Sequence, residues 1–222
     1  LFKISTFEIP QYQRAYSWDV EPQLEAFLPD LRQQVKAQAR NPEKAYFLGT
    51  VLLHESEKKV HVVDGQQRLT TLFLLHWYAA KKEKISDDKY AFLSRFSYET
   101  RYSARYFCAE LVKFMPSFET TLSADIKNQA WFPFDWKDDP TISSMLVMLD
   151  AIDERFKDVP DIWEQLENKA ITFYFLPIRD MGLTDELYIK MNSRGKPLTV
   201  FEHFKAELER EIRALDEKNG QN

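Results

Sequence analysis

The sequence predicts an α+β fold. Two apolar runs, Tyr46–Leu53 and Val60–Val63, stand either side of a polar stretch at Glu55–Lys59 and read as a β-hairpin. Helical spacing brackets them: Leu24, Phe27, Leu28, Leu31 and Val35 before, then Leu69, Leu72, Phe73, His76 and Trp77 after. A further apolar run, Ala170–Ile178, returns late, behind a long helical stretch. Early strands, a helical middle and a returning strand fit α+β better than alternating α/β units.

Taken in order, Phe7–Trp18 reads as extended or looped, because Pro10 biases Ile9 away from helix. Asp19 suits an N-cap and Pro22 a first turn, whereas Pro29 inside the same apolar run predicts a kink or break. After the hairpin, Asp64–Arg68 passes straight into a helix with Leu69, Leu72, Phe73, His76 and Trp77 on one face. From Lys81 to Gln165 the pattern is helical and aromatic-rich, with helices expected near Ser103–Phe114 and Thr141–Phe156. Met115–Pro140 carries no clear period. Beyond the strand at Ala170–Ile178, helices are expected near Thr184–Met191 and from Val200 to Leu215, joined by the turn Asn192–Pro197. The polar end from Glu217 is expected to fray.

At 222 residues with 44% hydrophobic side chains, the chain can bury a substantial core. Its net charge of −5 argues against a generally basic nucleic-acid coat protein. One cysteine, Cys108, excludes an internal disulfide framework and a cysteine-built zinc site, and points to a reducing compartment, the cytoplasm. No apolar run has the length of a membrane span, since Thr70, Thr71 and His76 interrupt the longest. The sequence begins at Leu1 and reads as an excised fragment. Only five glycines are present, at 49, 65, 182, 195 and 220, which excludes a GxxxxGK[ST] loop and a GxGxxG turn. Any nucleotide must be held by another device. His54, His61, His76 and His203 have no metal-ligand spacing, and Asp87-Asp88 and Asp138-Asp139 read as solvated loop charge.

Three segments remain as candidates for chemistry. In Asp64-Gly65-Gln66-Gln67-Arg68, a capping box accounts for Asp64 and Gln67 without any function. It leaves Arg68 over, a cation set against the positive end of a helix macrodipole. Free N–H groups beside a guanidinium fork suit phosphate. The turn Asn192-Ser193-Arg194-Gly195-Lys196-Pro197 can simply end one helix, with Gly195 at the left-handed position, yet it also concentrates donors that suit phosphate oxygens. Tyr12, Gln13 and Arg14, with Tyr16 and Trp18, could stack a base and bond its edge or could pack a loop on the core. Lys81, Lys82, Lys84, Arg95, Arg101 and Arg105 could form a basic patch or an ordinary mixed-charge surface.

Together these segments resemble a known family. Ile9–Trp18 resembles its IPxYQRxYxW opening, Val63–Leu72 its DGQQR signature, and Met191–Leu198 its NxRGxxL turn, in the family's order. The family is the N-terminal domain of GmrSD-type restriction endonucleases, related to the ParB/sulfiredoxin nucleotide-binding fold. The resemblance implies a small mixed sheet with a helical insert and C-terminal helices. It divides the chain into a nucleotide-binding core at 1–80, an aromatic-rich insert at 81–169, a strand and helix-turn-helix at 170–216, and a tail at 217–222. It implies binding and Mg²⁺-dependent hydrolysis of a nucleoside triphosphate in bacterial defence against modified phage DNA, beside a fused or separate HNH-type nuclease domain.

On that reading Asp64, Gln66, Gln67 and Arg68 are the catalytic group, with Asp64 also holding Mg²⁺. Tyr12, Gln13, Arg14, Gly65, Arg68, Asn192, Ser193, Arg194, Gly195 and Lys196 bind nucleotide. A module that senses nucleotide or binds DNA without hydrolysis is the alternative. The aromatic insert could pack internally or against a second copy in a homodimer.

Overall fold

The structure, a computed structural model, describes residues 5–10, 13, 15–18, 26–41, 45–56, 59–99 and 101–178. The chain divides into two units, Leu1–Pro177 and Ile178–Asn222, and the first carries almost everything described below. It is an α+β unit whose five-stranded sheet has the order β4-β1-β3-β2-β5. The strands are β1 (Thr6–Ile9), β2 (Tyr46–Ser56), β3 (Lys59–Asp64), β4 (Phe96–Tyr98) and β5 (Ile171–Ile178).

The hairpin forms as the apolar runs predict, with β2 antiparallel to β3 and an irregularity in register at Leu52/Leu53. β1 runs parallel to both β3 and β4. The alternation expected of a sheet with one buried face is only partial, because Glu8 in β1 and Val63 in β3 are buried beside their neighbours. Phe7, Ile9, Val60, Val62, Leu53, Phe96 and Tyr98 are buried.

Helix α1 (Leu28–Arg40) buries Leu28, Leu31 and Val35. Pro29 stands in its first turn, so the expected break is realised as a helix start, where a missing N–H costs nothing. The Asp19 cap lies outside the described residues. Helix α2 (Gln66–Lys82) departs from the one-faced helix expected, because Leu69, Phe73, Leu74, Leu75, Trp77 and Tyr78 are all buried. The reason is its central position. Phe73 stacks on Phe96 of β4 with ring centroids 4.8 Å apart. On other sides the Trp77 indole donates to Leu111 O at 2.5 Å, and the Tyr78 hydroxyl to Asp153 at 2.9 Å. Burial beside Asp153 pushes the Tyr78 phenol well up.

The stretch after α2 builds the short α3 (Asp87–Tyr90), α4 (Tyr102–Lys113), α5 (Leu122–Lys127), α6 (Pro140–Phe156) and α7 (Ile162–Glu167). Side chains from these helices share one hydrophobic cluster with the sheet and α2. The aromatic side chains here largely pack on one another: Phe107, Trp131, Phe132 and Trp136 meet edge to face or tilted. The unassigned stretch at 115–140 holds α5, capped by Thr121, and a 3₁₀ turn at Phe134–Asp138.

Two carboxylates expected in solvent have structural work. Asp139 accepts from the N–H groups of Thr141 and Ile142 at 2.8 and 3.1 Å and so caps α6, while also accepting from Ser103 Oγ. Asp87 accepts from the Tyr90 hydroxyl. Cys108 is buried, and burial pushes its thiol well up, which leaves it inert rather than nucleophilic. Among the described residues no helix is long and apolar enough to cross a membrane.

Candidate functional site

The strand-to-helix turn at the end of β3 is built differently from the capping box expected of its sequence. Asp64 is the last residue of the strand, and Gly65 occupies the N-cap at φ +97 with no side-chain cap. The left-handed conformation of Gly65 turns the chain sharply from strand into helix, which puts Asp64 one residue too early to cap. The first turn of α2 therefore carries no side-chain cap and no acidic residue. Its N–H groups and macrodipole make a local positive field.

Arg68 lies in that field. Its Nη1 donates to Leu48 O at 3.1 Å and its Nη2 faces the Asp64 carboxylate at 3.3 Å. The Arg68 side chain is 22% exposed and that of Asp64 50% exposed, so the pair sits at the surface. Two glycines make the seat. A Cβ on Gly49, at φ +105, would stand 2.7 Å from Arg68 Nη1. A Cβ on Gly65 would meet Val51 Cγ2 at 3.1 Å and Arg68 Nη2 at 3.3 Å. The role of Gly49 was not read from the sequence. The available signal was a glycine inside an apolar strand run, which marks close approach.

Gln67 spends its amide on the loop after β1. Its Nε2 donates to Ala15 O and its Oε1 accepts from the Ser17 N–H, both at 3.1 Å. Gln13 does the reciprocal work. It is buried, and its Nε2 donates to Val62 O at 3.1 Å and Val63 O at 2.6 Å, just ahead of Asp64. Tyr16 is buried too and shares a hydrogen bond with Thr71 of α2 at 2.8 Å. Gln66 is buried at the head of the helix.

Six of the expected site residues thus come together: Gln13, Asp64, Gly65, Gln66, Gln67 and Arg68. Tyr12, Arg14, Asn192, Ser193, Arg194, Gly195 and Lys196 lie outside the described residues.

Three of the six residues considered for a basic patch are engaged within the fold. Lys81 is buried and donates to the Tyr90 hydroxyl at 2.6 Å. Lys82 donates to the carbonyls of Phe156 and Val159 at 2.7 and 2.8 Å. Arg101 turns to Gln13 O at 3.2 Å.

Among the described residues, no group of three or more His, Cys, Asp or Glu is placed to hold a metal ion. Asp64 offers one exposed carboxylate at the turn. That donor set does not make a protein cage, but it suits Mg²⁺ that takes most of its ligands from phosphate and water.

These features define an α+β domain organised around an arginine-bearing turn between a strand and a helix N-terminus that has no side-chain cap. The chain belongs to the family of the N-terminal domain of GmrSD restriction endonucleases, whose model matches residues 1–209. It is thus a restriction-system domain. Among curated proteins none matches the chain.

Proposed function

We propose that this domain binds a nucleoside triphosphate at the N-terminus of α2 and serves the restriction system as its nucleotide-dependent part. The observation that carries the reading is the uncapped first turn of α2 with Arg68 in it. A helix N-terminus already favours an anion, and a guanidinium beside it adds donors matched to phosphate oxygens. Asp64 would hold Mg²⁺ with those oxygens, and the cation would supply neutralisation of phosphate charge. Gln13 and Gln67 act as positioning residues, since their amides tie the loop after β1 to the turn. On the family reading, Tyr12 and Arg14 are further nucleotide-binding residues. Cleavage of DNA belongs to an HNH-type nuclease domain, fused or separate.

Hydrolysis follows if a water is aligned against the terminal phosphate, because positioning and charge stabilisation carry most of phosphoryl transfer. One observation favours slow turnover, or sensing without turnover. Both ends of the Gln67 amide are engaged within the fold, so this side chain is not offered to a water. Binding is tested by the melting temperature with ATP, GTP, CTP and UTP, each with and without Mg²⁺. A ligand at about 100 times its Kd stabilises by about 2.7 kcal/mol. A shift that disappears in Arg68→Ala supports the reading, and an Arg68→Ala protein that binds triphosphate as the parent does ends it. Multiple-turnover phosphate release, lost in Asp64→Ala, separates the enzyme from the sensor.

A further inference from the structure

The parallel strands place a third loop beside the two already described. β1, β3 and β4 all run the same way, so Ile9, Asp64 and Tyr98 end on one edge of the sheet. Ligands of sheets with parallel strands gather outside such carboxyl ends. The loop after β1 holds Gln13, the turn after β3 holds Arg68's helix, and the segment after β4 leads through Arg101 into α4. With the order β4-β1-β3, β4 stands two strand spacings, about 10 Å, from β3. Arg101 joins the third loop to the first, since its Nη2 donates to Gln13 O at 3.2 Å.

Directly after Arg101, α4 presents two tyrosines to solvent. Tyr102 is 60% and Tyr106 45% exposed. Their ring centroids lie 4.4 Å apart with 40° between planes. The Arg105 guanidinium sits 5.6 Å from the Tyr102 centroid. The core does not need these rings, because Ala104, Phe107, Cys108 and Leu111 form the buried face of the helix. Exposed aromatic rings with an arginine beside them are the elements that stack a nucleobase, whose π-face they accept whatever its edge.

We propose that Tyr102 and Tyr106, with Arg105 beside them, form the base-stacking wall of the nucleotide site. The phosphates then lie at α2 and the base reaches across β1 toward α4. This rests on the phosphate reading above and adds its other half. Arg101 is a positioning residue here, fixing the start of α4 against the Gln13 loop. A platform made of ring faces predicts weak selection among bases, with purines ahead of pyrimidines through their larger area.

The test is calorimetric titration of the whole chain with ATP, with CTP and with inorganic tripolyphosphate, all with Mg²⁺. Parent, Tyr102→Ala, Tyr102→Phe and Arg68→Ala are compared. The expected result is that Tyr102→Ala weakens ATP by about 5- to 150-fold, the range for one lost base–aromatic stack, and leaves tripolyphosphate unchanged. Tyr102→Phe restores ATP binding. The platform is overturned if Tyr102→Ala binds ATP as the parent does while Arg68→Ala loses both ligands, in which case the phosphate site survives alone. It is also overturned if Tyr102→Ala weakens ATP and tripolyphosphate equally. A parent that binds neither ATP nor tripolyphosphate removes the phosphate reading and the platform with it.

Discussion

The two ends of α2 carry cations under opposite conditions. At the C-terminal end, Lys81 and Lys82 lie where the macrodipole favours positive charge. Lys82 satisfies one carbonyl at the end of α6 and one just beyond it, and Lys81 is buried against Tyr90, which in turn donates to Asp87. Glu83, just beyond, accepts from the N–H groups of Ile162 and Trp163 at 2.6 and 3.1 Å and so caps α7. The charges of Lys81, Lys82 and Glu83 are answered by the fold, and the result is a joint between helices. At the N-terminal end, Arg68 opposes the dipole, donates to Leu48 O, faces the exposed Asp64 carboxylate and depends on two glycines for room. An anion arriving there is what that placement would favour. The difference teaches where to look: the same residue class, on the same helix, closes a joint at the end that the dipole favours, and stands against the dipole at the end where we propose the phosphate site.

The comparison breaks most sharply at Gly49. Gly49→Ala puts a Cβ 2.7 Å from Arg68 Nη1 at a backbone φ of +105. Strained backbone alone costs of order 1–3 kcal/mol. The expected outcome is a loss of about 2 kcal/mol or more in chemical denaturation, together with the nucleotide-induced melting shift. Parent-like stability would mean that the seat of Arg68 is loose.

Lys82→Met tests the other end. It leaves the carbonyls of Phe156 and Val159 without their donor, for about 1–3 kcal/mol. Nucleotide affinity should stay at the parent's value in the same protein. If Lys82→Met weakens nucleotide binding as Arg68→Ala does, the division between joint and site fails.

Much of this was open to reading in the sequence, and the rest was hidden for definable reasons. The hairpin, α2, α4, α6 and β5 each carry a period or an apolar run long enough to count, and their bounds fall within a few residues of expectation. β4 has three residues and pairs with a strand some ninety positions earlier, so no local pattern marks it. Without β4, the shared carboxyl edge and the place of Tyr102 could not be seen.

Asp64 and Gln67 have the spacing of a capping box, but spacing cannot report that Gly65 takes the cap and Gln67 reaches a loop 50 residues back. Arg68 was legible because its conflict with the helix field is a local fact. Gly49 was not, because its purpose exists only once β2 and α2 are side by side.

A smaller effect, with its own pH signature, separates the lysines at the joint. Burial holds the Lys81 ammonium below the usual lysine range. With the folded value depressed, the unfolded chain holds more protons in the window just below the ordinary lysine value of about 10.4, so this group makes stability rise with pH there. Tyr90 is pushed up to about 12 by burial and its bond to Asp87, so its contribution is present below its ordinary value of about 10 and is lost as pH climbs to about 12. Lys81→Met should melt close to the parent at neutral pH, since an apolar side chain of similar size replaces a buried cation. It should lose the parent's upward slope of stability in the window just below about 10.4. An unchanged slope would mean that Lys81 exchanges its proton as freely as an exposed lysine, and the joint would then not be as closed as the geometry makes it.

The smallest effect belongs to a surface contact of α1, where Arg32 and Lys36 both reach Asp158 at 2.6 and 3.3 Å. The hydrogen bond from Arg32, then that from Lys36, holds the Asp158 carboxyl down at about 2. A depressed carboxylate contributes stability that is present above its unfolded value of about 3.9 and fades as pH falls through about 2. Asp158 is exposed and Arg32 and Lys36 are each more than a third exposed, so salt screens the contact and its worth is slight. Asp158→Asn should therefore lower the melting temperature slightly at neutral pH and low salt, and match the parent near pH 2 or in about 1 M salt. Nucleotide binding should not change. A drop that persists in high salt would show that this contact resembles the closed joint of α2 more than an open surface pair, and would extend the comparison to a third place where the partners of a cation decide what it does.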